Sequence, residues 1–369
     1  MAVPSHRYIG KSYPRTDAWD KVQGKTRYTD DVWLPGMLHA AVIPSPHAHA
    51  EILSIGTKTA LTMPGVRGVF TGADFPFLVG LYLGDKPPLA RERVRYFGEP
   101  VAVVVADSER EALSAARRLV IEYKPLPAVL SPRDSLKADA PILHPKMEEY
   151  VKIPAILPEP GSNVANRTKM RKGDVASAFR EADVVIEGDF AFPPADHAAM
   201  EPRVTIAEIK GDGQVIIRTS TQSPYGVRVI MSRCLDIPIQ KITVVAGPVG
   251  GGFGGKAGIQ LEPLAYLLSR ELGGRPVRLA NTREQDLVDS PGAPGLASRV
   301  KLGAKADGTL LAAEIEYLFD SGGCADYAVN VSRAASYSCT GPYRIPNVRT
   351  DSLCVYTNHP FATAYRGFG

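Results

Sequence analysis

At 369 residues the chain is long enough for about two domains and a sizeable core, and its 44% hydrophobic and 22% charged content is that of a globular protein. Its 43 basic and 39 acidic residues leave a net charge of +4, with Lys and Arg scattered rather than striped, which argues against a nucleic-acid reader. Four widely spaced cysteines, Cys234, Cys324, Cys339 and Cys354, form no C-x-x-C pair and argue against both a disulfide framework and an iron–sulfur cluster held by this chain. Met1 to Thr16 is polar, no apolar run reaches membrane-spanning length, and the expected location is the cytoplasm.

In chain order, Met37 to Ile43 and Val101 to Ala106 read as strands. Ser108 and Glu111 have capping-box spacing, opening a helix with Leu113, Ala116 and Leu119 on one face, before a short strand from Val120 to Tyr123. This is an α/β unit. Residues 136–165, rich in Pro, Lys, Glu and Ser, read as an extended linker. Asp174 leads into a helix from Val175 to Ala182. Strands are predicted at about 184–190, 203–209 and 214–219, a helix at 224–234, and further strands at about 276–280, 299–305, 310–319 and 350–356. Plentiful Gly (34) and Pro (31) at segment edges suit many short elements joined by fixed turns.

The densest signal is Gly250-Gly251-Gly252-Phe253-Gly254-Gly255-Lys256. It follows Ile242 to Ala246, which reads as a buried strand, and precedes Ile259 to Leu272, which reads as a helix. Glycines permit close backbone approach and a helix N-terminus supplies partial positive charge, so the arrangement favours an anionic cofactor. Gly250, Gly252 and Gly255 satisfy the dinucleotide spacing G-x-G-x-x-G. Gly250, Gly255 and Lys256 satisfy the start of a phosphate loop, but Ala257 stands where a Mg²⁺-holding hydroxyl is needed. A plain packing turn is the remaining reading.

The longer phrase resembles the first cofactor loop of the molybdenum hydroxylases, the xanthine dehydrogenase and aldehyde oxidase family. The likeness extends along the chain. Gly24 to Asp31, Pro35 to Ala40, Ser45 to Ala50, Gly98-Glu99-Pro100 and Leu126-Pro127 occur in the order of that family's α/β-hammerhead domain. His197, Met200-Glu201-Pro202 and Ser220-Thr221-Gln222 precede the glycine loop. Ala364-Tyr365-Arg366-Gly367-Phe368-Gly369 is similar to the second cofactor loop. The resemblance implies a mixed α/β (α+β) chain: a hammerhead domain at 1–135, a linker at 136–165 and the first molybdopterin-binding domain at 166–369.

It also implies roles. Gln222 matches the glutamine whose amide bonds an oxo ligand of the metal. Gly252, Phe253 and Gly254 match residues that bring backbone to the cofactor and a ring to the substrate space. Arg366 and Gly367 match the second loop's approach to the cofactor, and Phe368 a ring facing a flat substrate. Gln222, Phe253 and Arg366 are thus the catalytic candidates. Ala257 replaces a glutamate of xanthine-oxidising members, which disfavours xanthine, and Arg333 lies near the place of a substrate-orienting arginine. No metal ligand from the protein is expected, because a molybdenum–molybdopterin group, in its cytosine dinucleotide form, would hold the metal.

The resemblance further implies hydroxylation of an aldehyde or N-heteroaromatic C–H with oxygen from water. Electrons would leave through [2Fe-2S] clusters and FAD on partner subunits, and the general-base glutamate would sit on a partner carrying the C-terminal half of the molybdenum subunit. The chain alone is expected to be inactive. Two alternatives stay open: a phosphate-loop nucleotide-binding protein, with Asp320 as its loose Mg²⁺ candidate, and a scaffold half without catalysis. His39, His47 and His49 lack the spacing of a zinc site, and His197 and Glu201 read as structural.

Overall fold

The computed structural model describes residues 6–368; Met1 to Ser5, and the Gly369 that closes the second-loop phrase, lie outside the described residues. Three sheets organise the described residues. The largest has seven strands, in the order Ile242–Val245, Val215–Thr219, Val204–Ile209, Val277–Ala280, Leu38–Pro44, Pro100–Ala106 and Val66–Thr71. Strands from before residue 107 and after residue 203 therefore share one sheet, joined where Leu38–Ala40 pairs in parallel with Val277–Leu279.

Val101 to Ala106 is buried along its whole length because both of its faces are covered. Val104 and Ala106 pack on Ala60, Ala112 and Ala115 of two short helices. Val103 and Val105 face the main core, with Leu38, Ile217, Leu264 and Val277. The helix after it, Glu109–Ala116, begins where Ser108 Oγ accepts the Glu111 N–H (3.3 Å). The Glu111 carboxylate reaches back to the Ser108 hydroxyl (2.7 Å). This helix ends at Ala116, so Leu119 reaches the core from beyond it rather than from its face.

A five-stranded sheet runs Val164–Lys172, Asn347–Tyr356, Leu310–Gly322, Leu296–Ala304 and Val184–Phe192, and a three-stranded one runs Arg93–Val94, Ala50–Gly56 and Val120–Pro125. Helix Ala328–Tyr337 packs on the five-stranded sheet.

The segment at 136–165 differs from a free linker. Leu143, Met147 and Ile156 are fully buried among Ala328, Val329 and Tyr356. His144 bonds the Tyr150 hydroxyl (2.9 Å) and the Gly323 carbonyl (2.8 Å), with its ring 4.1 Å from that of Tyr356. The segment is irregular in sequence because it makes a strap rather than a helix or sheet, but its apolar residues are core residues.

Candidate functional site

Two expectations about the glycine loop change. The strand before it, Ile242–Val245, is an edge strand with only Ile242 buried. The helix after it, Glu262–Glu271, starts six residues beyond Lys256, and its first amides are not offered to the loop. Glu262 itself is buried there, accepting from the Gln260 N–H (2.8 Å) and the Thr219 hydroxyl (2.8 Å). The loop's character comes from its own backbone. Gly251 and Gly254 have φ of +106° and +101°, which side chains rarely adopt, and Phe253 is held at +52° with its ring 44% exposed. Tight turns close it, from the Gly255 N–H to the Gly252 carbonyl (2.7 Å) and from the Ala257 N–H to the Gly254 carbonyl (3.1 Å).

Gln222 lies just beyond strand Val215–Thr219 and is sewn to this loop. Its backbone N–H donates to the Lys256 carbonyl (2.9 Å). Its side-chain oxygen accepts from the Gly254 N–H (2.9 Å) and the Lys256 N–H (3.3 Å). With Oε1 so engaged on an exposed residue, the carboxamide NH₂ has no hydrogen-bond partner among the described residues, so its donors remain for a ligand. A Cβ at Gly252 would lie 2.4 Å from Gln222 Oε1 and 2.9 Å from its Cγ, so a side chain there would push the carboxamide off the loop amides.

Beneath the loop, Lys256 Nζ donates to the Glu201 carboxylate and carbonyl, both at 2.8 Å, with side chains 1% and 9% exposed. Burial lowers the lysine's pKa and the glutamate raises it in part. Glu201 Oε2 also accepts the Gly250 N–H (2.8 Å). A lysine so held cannot reach a phosphate, and Asp320 is committed to His359 (2.7 Å) and Thr357 (2.5 Å) on the other sheet. The phosphate-loop reading fails on both counts.

The second loop abuts the first. A Cβ at Gly254 would lie 2.4 Å from the Ala364 carbonyl. His197, which sits in no helix, donates from Nε2 to that same carbonyl (2.8 Å) and stacks on Tyr365 at 4.7 Å. Arg203, paired with buried Asp286 (3.0 Å), donates to the Gly255 carbonyl (2.7 Å). His197 thus bridges the two loops, and the Arg203–Asp286 pair anchors the first of them from behind; the long-range Arg203–Asp286 pairing leaves no local sequence signal.

Tyr365, Arg366, Gly367 and Phe368 are exposed, with a turn from the Phe368 N–H to the Tyr365 carbonyl (3.0 Å). Arg366 makes no ion pair among the described residues. The structure brings Gln222, Gly252, Phe253 and Gly254 together and sets the loop of Arg366, Gly367 and Phe368 beside them. Ala257 is half-buried behind the turn. Arg333 is not among these contacts; it sits on helix Ala328–Tyr337, near Tyr82, whose hydroxyl burial pushes up to about 12.

Among the described residues no three His, Cys, Asp or Glu side chains converge as metal ligands, and no helix is long and apolar enough to cross a membrane. His47 packs edge-on against Tyr123, and His49 bonds the Pro127 carbonyl. The donor set suits a cofactor held by backbone amides and a neutral carboxamide: the residues around the loop are exposed, Gly254 admits no Cβ, and one at Gly252 would displace the Gln222 carboxamide.

Residues 23–127 match the family described as aldehyde oxidase and xanthine dehydrogenase, a/b hammerhead domain, and residues 156–369 match the molybdopterin cofactor-binding domain. The chain is 36% identical over 357 residues to a probable xanthine dehydrogenase subunit of Bacillus subtilis, covering 96% of itself and 46% of that protein. It is 30% identical over 366 residues to the nicotinate dehydrogenase large molybdopterin subunit of Eubacterium barkeri, covering 99% of itself and 82% of that subunit. The aldehyde oxidoreductase structure from Desulfovibrio gigas superposes with a TM-score of 0.88 at 32% identity, over 98% of this chain and 40% of that one. The chain therefore spans about half the length of the first of these relatives and most of the second.

Proposed function

The chain belongs to the xanthine dehydrogenase and aldehyde oxidase family of molybdopterin-binding proteins, and on that premise we propose that it supplies one wall of a molybdenum hydroxylase active site. The observation that carries this reading is Gln222, an exposed residue whose carboxamide oxygen is fixed by two loop amides while its NH₂ has no hydrogen-bond partner among the described residues. A bound molybdenum–pterin group would supply the redox centre, taking two electrons as a C–H bond gains oxygen from water.

The chain's own residues position and enclose. Gln222 would hold such a group with a neutral donor, without adding charge, and the amides of Gly252 and Phe253, the backbone at Gly254 and the amides of Arg366 and Gly367 would hold it from their two loops. The half-exposed rings of Phe253 and Phe368 flank a flat substrate. Ala257 offers a methyl where a purine's polar edge would need a carboxylate, so the substrate class is an aldehyde or a less polar N-heteroaromatic rather than xanthine. Arg333 would orient it only from farther out. The proton-accepting glutamate would come from the C-terminal half of the molybdenum subunit. Electrons would pass to [2Fe-2S] and FAD partners, and the pterin would carry cytosine dinucleotide.

The test is elemental and pterin analysis of the native complex recovered through a tag on this chain. About one molybdenum per chain with iron and a pterin nucleotide is the expected result. A metal-free complex lacking pterin would overturn the proposal.

A further inference from the structure

We propose that the outer strand Val184–Phe192 of the five-stranded sheet is the docking edge for the half of the molybdenum subunit that this chain does not contain. The inference goes beyond the cofactor site and rests on the reading that such a half completes the enzyme. The strand pairs on one side only, with Leu296–Ala304, in unbroken register over nine residues. Along its other side alternate N–H and C=O groups meet no strand among the described residues. Its side chains alternate between faces, and one face carries Val184, Ile186, Phe190 and Phe192, which are 51, 61, 54 and 63% exposed.

That face continues inward. Ile186 lies opposite Leu302, Phe192 opposite Leu296, and Val300 opposite Ile315. At its inner end the face is closed, where Ile345 and Cys339 pack on Ala313 and Ile315. At its outer end none of the described residues covers it.

A long, flat edge strand with bare large apolar residues is what proteins avoid leaving in water. This one has no proline, no bulge and no inward charge; its acids, Glu187 and Asp189, point to the opposite face. A second copy is a poor occupant. Twofold pairing about Gly188 would set Glu187 against Asp189 of the copy twice, and like charges directly opposed destabilise a sheet.

The relatives indicate the better one. The B. subtilis protein matches nearly all of this chain with 46% of its length, and the D. gigas structure with 40%. In such proteins at least as much chain again is available to cover the open end. The fitting segment is an extended strand with apolar residues on one face and neutral or basic residues opposite Glu187 and Asp189.

The experiment places photoreactive p-benzoylphenylalanine at position 190 in the holoenzyme, and at Phe179 on the opposite face as control, and identifies cross-linked peptides by mass spectrometry. Hydrogen exchange and molybdenum content are measured on the same complex. The expected result is a cross-link from position 190, and none from 179, to the second half, with 184–192 amides exchanging as slowly as those of Leu296–Ala304. Cross-links to another copy of this chain or to the iron–sulfur or flavin partner overturn the docking edge, as does fast exchange with no cross-link. If molybdenum is present, those results leave the functional proposal standing. A cross-link to the second half in a complex without molybdenum keeps the docking edge and overturns the cofactor reading.

Discussion

At the scale of single residues the site rests on two side chains with opposite duties, Gln222 facing out and Lys256 facing in. Gln222→Glu keeps an acceptor for the Gly254 and Lys256 amides but replaces the outward donors with an anionic oxygen. A drop of about 10–100-fold in molybdenum occupancy or turnover is expected, with little change in melting temperature, measured as metal per chain and by thermal unfolding of the same preparation. Lys256→Met strands the Glu201 carboxylate in a buried place and is expected to cost about 3–5 kcal/mol in chemical denaturation. The double variant with Glu201→Leu should recover much of that, though not all, because the Gly250 N–H then loses its acceptor. A phosphate-binding lysine would behave differently, since its loss would weaken nucleotide binding and spare the fold. The place of Gln222 against the glycine loop was legible because its phrase and the loop are both distinctive. The role of Lys256 was not, because its partner lies 55 residues away and ion pairing at that range leaves no local pattern.

At the scale of elements, strands that carry a near-continuous apolar run were the readable ones, whether two covered faces write it, as in Val101 to Ala106, or an edge strand bears it, as at 184–186 and in Ile242–Val245. Partly exposed strands such as Ala50–Gly56 and Val66–Thr71 carry no such run. Helix Arg283–Val288 did have a signal, the Thr282 and Gln285 capping box, but six residues are too few to show helical periodicity. That short helix ends at Asp289, whose carboxyl burial pushes up to about 7 despite the opposing pull of Lys86 and Arg203. A folded pKa above the unfolded one means that the native state keeps a proton the unfolded chain gives up. The contribution to stability is therefore full below about pH 4 and lost as pH rises through about 7. Asp289→Asn retains an oxygen for the Asn281 side-chain N–H. The variant should gain stability relative to the parent between pH 5 and pH 8, followed by thermal unfolding across that range. A difference that stays flat with pH would show that the carboxyl does not feel its burial. At the loop itself, Gly254→Ala drives a methyl into the Ala364 carbonyl from a φ of +101°, so it should part the two loops and lower pterin retention more than Gly367→Ala, whose Cβ meets nothing and whose φ of +80° adds backbone strain alone.

At the scale of the whole molecule, the division into a front part, a linker and a back part describes the order of motifs better than the physics of the fold. The seven-stranded sheet runs through both parts, and its core mixes Leu38, Val103 and Val105 with Ile217, Leu264 and Val277. No local sequence window can show this, because the parallel pairing of Leu38–Ala40 with Val277–Leu279 joins residues more than 230 positions apart. The strap at 136–165 misleads for a related reason: its Pro and Lys content is that of a spacer, while Leu143, Met147 and Ile156 are buried. A back part expressed alone from residue 166 would open the edge of Val277–Ala280 along its whole length and strip Leu264 and Ile217 of their front-part neighbours. It would lose Leu143 and Ile156 as well. Such a fragment is expected to aggregate, and the front part likewise, as judged by sedimentation of each. Co-expressed, the two should form one soluble species, because the shared sheet forms across a break as readily as along a chain. An intact chain cut by protease at the exposed turn around Gly161 should elute as a single particle and separate only in denaturant. Folding of either part alone to a soluble monomer would mean that the shared sheet contributes less than its buried strands imply, and the two-domain description would then hold physically.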